Sequence, residues 1–364
     1  MILCANPSAQ FKHYQTEIEE AVLSVMRGDC YVLGEEVASL EQEFASFIGT
    51  TDSVGVANGT DGIELALRAL EIGHGDEVVT VSHTAVATVA AIELVGAKPV
   101  LVDVESQYYT LNPLQLEEVL SPNTRAVIAV HLYGQAADMD AISAFCDKHK
   151  TYLIEDVSQA HGALYKGRRL GSIGDIGCFS CYPTKNLGAI GDAGLITTND
   201  NGLAKKIRML REYGWEKRVS KFAGRNSRLD ELQAAVLRVK LKHLDEDNQK
   251  RCQLAKYYTD QLSELPILLP EIREEVEAVF HLFVIQVEDR QELLQNLKEE
   301  GIQAGVHYPV PVHLQPAYQD KIPTAKDMRT TEKLTQRIIS LPIYPELSMS
   351  DAETIVNVLK KLLN

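Results

Sequence analysis

Ser180-Cys181-Tyr182-Pro183-Thr184-Lys185-Asn186-Leu187-Gly188 sets one lysine between a short apolar run and a glycine-spaced loop that continues to Gly194. In that setting a desolvated amine can act as a nucleophile instead of a surface charge. Upstream, an apolar run ending at Glu155 delivers Asp156, with Gln159 and His161 close behind. An amine able to condense with an aldehyde, and a carboxylate able to hold a protonated ring nitrogen, are the two groups a pyridoxal phosphate enzyme requires. Each also has a plain reading: Lys185 as a solvated ammonium with a pKa of about 10.4, and Asp156 as a helix cap or turn acid. Pro183, Gly188, Gly191 and Gly194 give Lys185 a backbone setting that an exposed helix lysine does not need.

Outward from this segment, the chain alternates between two periods. Residues 77–81, 99–102, 126–130 and 151–155 are short, nearly unbroken apolar runs that read as strands, and 62–70 and 84–94 carry helical spacing. Ile18, Val22, Val25 and Met26 predict an earlier amphipathic helix ending near Gly28, and a second covers 36–47. Strands separated by helices of this length imply an α/β fold with a mainly parallel sheet covered on both faces. Ligands then bind at the carboxyl ends of the strands. Segments 55–60, 81–84, 156–159 and 180–185 all fall there. Farther on, one long helix is predicted over 230–262, with Pro266 and Pro270 beyond its end. Strand, helix and strand follow over 279–287, 291–300 and 302–306, and a last helix covers 351–363. The expected division is a large domain over 1–247, including the N-terminal helical segment, and a smaller C-terminal α+β domain over 248–364.

The chain has 364 residues, 45% of them hydrophobic, enough for one large core and a smaller one. Its net charge of −15 opposes nucleic-acid backbones and anionic lipid head groups, so neither is an expected partner. The most apolar stretch, 84–102, contains Glu93, Lys98 and Pro99 and cannot cross a bilayer as one helix. Six scattered cysteines and no leader-like start point to a reducing cytoplasm without disulfides. There is no His-Glu-x-x-His and no pair of Cys-x-x-Cys motifs, so no metal site is expected. The glycines at 171–174 and 188–194 match neither the dinucleotide nor the phosphate-loop spacing.

Asn58-Gly59-Thr60 stands at a helix start, where free amides, the helix dipole and a hydroxyl can together hold a phosphate. A plain cap and turn has the same appearance. Ser180 reads either as a second hydroxyl for that phosphate or as a structural strand serine.

Several pieces, in order, resemble the sugar aminotransferases of the DegT/DnrJ/EryC1/StrS family through nearly the whole chain. They are Tyr31-Val32-Leu33-Gly34, Ala57-Asn58-Gly59-Thr60-Asp61, His131-Leu132-Tyr133-Gly134-Gln135, Glu155 to Gly162, Pro183 to Gly188, Asn226-Ser227-Arg228-Leu229-Asp230 and His307-Tyr308-Pro309. The resemblance implies an aspartate aminotransferase-type (fold type I) pyridoxal phosphate fold and a homodimer with shared active sites. By motif, Lys185 would attach the cofactor covalently, Asp156 would pair with its ring nitrogen, and Gln159 would lie near its ring hydroxyl. Gly59, Thr60 and Ser180 would bind its phosphate, with Asn226 reaching the phosphate of the neighbouring subunit. His307 and Tyr308 would lie near a nucleotide-linked keto sugar. Ala85 occupies the position where many relatives carry a ring that stacks on the cofactor, and His83 is the expected substitute. Lysine at 185, where sugar dehydratases of the family carry histidine, argues for amino transfer.

Ser82 to Glu93, Ala136 to Asp140, Arg211 to Trp215 and Asn226 to Leu241 resemble the branch that aminates C3 of a dTDP-linked 3-keto-6-deoxyhexose. The implied reaction takes nitrogen from L-glutamate, releases 2-oxoglutarate and yields a dTDP-3-amino-3,6-dideoxyhexose. The alternatives are a 4-keto sugar aminotransferase, an aromatizing family member, and a pyridoxal phosphate-binding regulator without turnover.

Overall fold

The computed structural model describes residues 1–363. Its largest sheet has seven strands: β1 (Asp52–Val56), β2 (Glu77–Val81), β3 (Lys98–Val102), β4 (Thr124–Val130), β5 (Tyr152–Asp156), β6 (Ile176–Ser180) and β7 (Gly194–Thr198). Their spatial order is β1-β7-β6-β5-β4-β2-β3. Only β7 runs against both its neighbours, β1 and β6; the remaining pairs are parallel.

Apolar runs suit this sheet because both faces are covered. Side chains alternate across a strand, and here Ala126, Ile128, Ile154 and Ile176 enter one core with helices Gly59–Ala69 and Asn201–Leu210. Val127, Ala129, Leu153 and Phe179 enter the opposite core with helices Glu35–Ile48, Met139–His149 and Glu231–Leu241. Each of the Val, Leu, Ile and Phe side chains among them contributes about 1.5–3 kcal/mol when fully buried. A one-residue slip in register would move a strand's whole set to the wrong core.

A third core gathers Tyr258, Phe283, Leu297, Ile339, Ile355 and Leu359 around the antiparallel pair β8 (Phe283–Gln286) and β9 (Ile338–Leu341). Helix Leu244–Leu262 links the two parts, with Leu244 in the sheet's core and Tyr258 in this one.

Three expected elements differ. The single helix over 230–262 is two helices, Glu231–Leu241 and Leu244–Leu262, parted at Lys242 and His243. The parting places His243 flat against Tyr14, ring centroids 4.3 Å apart, and Tyr14 donates to Asp247 Oδ1 at 2.8 Å. The strand expected over 302–306 does not form a ladder: Ile302 and Gly305 make isolated bridges to Ile2 and Ser340, while β8 pairs with β9. Alternating apolar residues permit a strand but do not supply its partner. The first helical stretch is split into Pro7–His13 and Gln15–Arg27, ending at Gly28 as expected.

Candidate active site

Beyond the carboxyl ends of the parallel strands lies a cavity of about 330 Å³. Six of the residues singled out from sequence line it: Gly59, Thr60, Asp156, Gln159, Ser180 and Lys185. β1 leads to the helix carrying Gly59 and Thr60, β5 ends at Asp156, and β6 ends at Ser180, so the sheet's register brings these distant segments together.

At the helix start, Asn58 caps by accepting from the Asp61 amide at 2.9 Å. The first amides of the helix have no carbonyl one turn back. They and the positive end of the dipole suit an anion. Gly59 is forced by proximity, since a Cβ there would stand 2.5 Å from Ser180 Cβ. The close approach puts the Ser180 hydroxyl beside Gly59, at the helix start that Asn58 caps.

Asp156 is 5% exposed and accepts from Thr88 Oγ1 at 2.8 Å and the Ser158 amide at 3.1 Å. Behind it, buried Glu155 accepts from the amides of Gly171, Ile173 and Gly174, each at 2.8 Å, and lies 3.1 Å from His131 Nε2. His131 Nδ1 accepts from the Ala137 amide, which leaves the ring proton on Nε2 toward Glu155. Burial acts to raise the Glu155 pKa, but the His131 contact and the Gly171 and Gly174 amides outweigh it and leave it lowered.

Lys185 is half-buried as a residue because it opens into the cavity, yet its amine is largely desolvated. Burial pulls its pKa down to about 8, against the opposing pull of Asp156. A neutral fraction of amine therefore exists near neutral pH. Its loop is tied on both sides. Asn186 Nδ2 donates to Asn248 Oδ1 at 2.8 Å, and Lys240 Nζ donates to the Gly188 carbonyl at 2.7 Å.

Gln159 accepts from the Tyr133 amide at 2.8 Å and donates to the Tyr308 hydroxyl at 3.0 Å. Tyr308 therefore reaches the site through Gln159, and His307 stands beside it, its Nδ1 2.9 Å from Ser340 Oγ. Burial raises the Tyr308 pKa to about 12 and, with Lys185, lowers that of His307.

One residue lies elsewhere than expected. His83 is 1% exposed and does not line the cavity. Its Nε2 sits 2.7 Å from the Tyr133 hydroxyl and the rings meet edge-on, so no open face is left for a cofactor; Ala85 and Ala87 form the wall instead. Asn226 is exposed and outside this cavity. The basic residues near it are engaged, Arg225 with Glu64 and Asp61, and Arg228 with Glu212.

Two residues were given no role from sequence. Thr88, on the helix Val86–Leu94, is a lone hydroxyl in an apolar run. Tyr133 sits at φ 63° and donates its hydroxyl to the His307 carbonyl. A non-glycine residue in that region is uncommon, and only the backbone reveals it. Cys178 and Cys181 have Cys-x-x-Cys spacing but are fully buried, and burial raises both thiol pKa values, that of Cys181 to about 12.

The site fits pyridoxal phosphate: an amine of lowered pKa faces a buried carboxylate, and a glycine-cleared helix start meets a hydroxyl. The model of the DegT/DnrJ/EryC1/StrS aminotransferase family matches residues 12–360. This chain belongs to that family. As a member it is an aminotransferase, and pyridoxal phosphate is its cofactor. It is 43% identical to the dTDP-3-amino-3,4,6-trideoxy-alpha-D-glucose transaminase of Streptomyces venezuelae, over 97% of this chain and 94% of that protein. It is 44% identical to the dTDP-3-amino-3,6-dideoxy-alpha-D-galactopyranose transaminase of Aneurinibacillus thermoaerophilus, over 96% of each. The crystal structure of S. venezuelae DesV in complex with a ketimine intermediate superposes with a TM-score of 0.97, at 42% identity and covering 100% of this chain and 98% of that one. Among the described residues, no helix is long and apolar enough to cross a membrane.

Proposed function

We propose that this aminotransferase moves an amino group from L-glutamate to C3 of a dTDP-linked 3-keto-6-deoxyhexose, releasing 2-oxoglutarate and a dTDP-3-amino-3,6-dideoxyhexose. The observation that carries the amino-transfer chemistry is Lys185, its amine held near pKa 8 in the cavity that Asp156 also lines. Position C3 and the dTDP carrier draw support from the relatives, two of which are named as 3-amino sugar transaminases with dTDP carriers.

When bound, pyridoxal phosphate supplies an electron sink for the carbon that carries the nitrogen. The chain's own residues do the rest. Gly59, Thr60 and Ser180 would hold the phosphate, and Asp156 would keep a proton at the ring nitrogen. Lys185 Nζ takes the proton from the donor's α-carbon and returns one to C3 of the sugar, acting as base and then acid. Gln159 would lie near the ring hydroxyl, and Tyr308, bonded to Gln159, near the sugar.

The functional unit is a homodimer with shared sites, in which Asn226 serves the phosphate of the neighbouring subunit. Its exposure, together with exposed Tyr31, Val32 and Met26, supports that arrangement. The smaller domain, beginning near residue 248, would carry His307 and Tyr308 over the cavity.

Borohydride reduction followed by peptide mapping should place the cofactor on Lys185. L-glutamate should convert its absorbance to that of the amine form, and NMR of the product should show nitrogen at C3. Nitrogen at C4 would assign the 4-keto alternative, and no conversion with any amino donor would leave a cofactor-binding regulator.

A further inference from the structure

Three hydroxyl and carboxyl groups form a line into the site. Thr84 Oγ1 lies 3.1 Å from Thr88 Oγ1, and Thr88 Oγ1 lies 2.8 Å from Asp156 Oδ2. Thr88 is fully buried and Thr84 is 3% exposed, so these bonds are largely shielded from bulk water. Proton counting sets their direction. An ionised carboxylate only accepts, so Thr88 gives its single proton to Asp156, and Thr84 must then donate to Thr88. The Ser158 amide occupies the other carboxylate oxygen, Oδ1, at 3.1 Å. Each oxygen thus has one protein donor and keeps acceptor capacity toward the cavity that Asp156 and Thr84 both line.

We propose that Thr88, with Thr84 behind it, is a positioning residue that aims the Asp156 carboxylate, so that a proton shared with a cofactor ring nitrogen stays on the ring. The inference rests on the pyridoxal phosphate reading of the site. Hydrogen bonds donated to a carboxylate favour its charged form, and chained hydroxyls strengthen one another in a low-dielectric setting. Without the Thr88 bond the carboxylate would lose its aim and hold the shared proton on the ring less well. The ring would lose part of its positive charge, and with it part of its capacity as an electron sink.

The test uses the full-length chain, freed of cofactor and titrated with pyridoxal phosphate, as parent, Thr88→Val and Thr88→Ser. Valine keeps the shape and removes the hydroxyl; serine keeps the hydroxyl and removes the methyl. Thr88→Val should bind roughly tenfold more weakly, as expected for one charge-assisted hydrogen bond, and Thr88→Ser should stay within about twofold of the parent. With ring-15N-labelled cofactor, the Thr88→Val nitrogen signal should move toward the unprotonated position. With 1-deazapyridoxal phosphate, which lacks the ring nitrogen, parent and Thr88→Val should bind alike. Equal losses in serine and valine variants, or a valine penalty that persists with the deaza analogue, would assign Thr88 to packing and overturn the proposal. An unchanged nitrogen signal in Thr88→Val would overturn it too. Failure of the parent itself to bind pyridoxal phosphate would instead sink the reading of the site.

Discussion

Gln159 Nε2 donates to the Tyr308 hydroxyl at 3.0 Å, joining the loop after β5 to a segment that precedes β9 by thirty residues. The same glutamine accepts from the Tyr133 amide, and the Tyr133 hydroxyl meets the His307 carbonyl. Two side chains, Gln159 and Tyr133, therefore tie the 307–308 segment to the loops after β4 and β5.

Tyr308→Phe removes the acceptor for Gln159 and leaves a buried amide hydrogen unpaired, a cost of about 1–3 kcal/mol. Gln159 keeps its bond from Tyr133, so cofactor binding should change little. The KM for the sugar nucleotide should rise roughly tenfold, measured by steady-state kinetics beside a cofactor titration.

Lys185→Ala should lower turnover by about 10³-fold or more, because nucleophile and proton carrier are lost together. Phosphate and ring contacts remain, so the variant should still retain pyridoxal phosphate without a borohydride-stable bond. Single-turnover kinetics and mass spectrometry after reduction check both halves.

The lowered pKa of Lys185, about 8, has a stability consequence with a definite sign. Between pH 8 and the unfolded value of 10.5 the unfolded chain binds the extra proton, so stability rises with pH there, by about 1.4 kcal/mol per unit for this group. Below pH 8 the cost of burying the charge is fully present. Lys240, also lowered to about 8 by burial, acts in the same direction. The stability advantage of a Lys185→Met variant over the cofactor-free parent should be greatest below pH 8 and shrink as pH approaches 10, as read by urea unfolding.

Gly59→Ala drives a methyl to 2.5 Å from Ser180 Cβ and must displace one of the two segments. We expect a loss of about 1–3 kcal/mol from overpacking and weakened phosphate binding. Adding Ser180→Gly should recover part of the stability but not the cofactor affinity, because the contact with Cβ is relieved, the Ser180 Cα stays 3.0 Å away and the hydroxyl is gone. Denaturation midpoints and pyridoxal phosphate titrations separate the two effects.

The sequence by itself determined the period of most elements, and with it the parallel sheet clad in helices, because burial on both faces demands unbroken apolar runs such as 126–130. It also singled out Lys185, Asp156, Gly59, Thr60, Ser180 and Gln159, each marked by a chemical type placed after such a run. Only the tertiary structure decided which segments meet. The partner of β8 is β9 and not residues 302–306, the helix over 230–262 is parted at His243, and His83 is held by Tyr133 away from the cavity. Thr88 acquires a role solely because the sheet order lays its helix beside the end of β5. Periodicity is a local property, set by which face of each element is buried; pairing and side-chain contact are set by distances across the chain that no local pattern encodes.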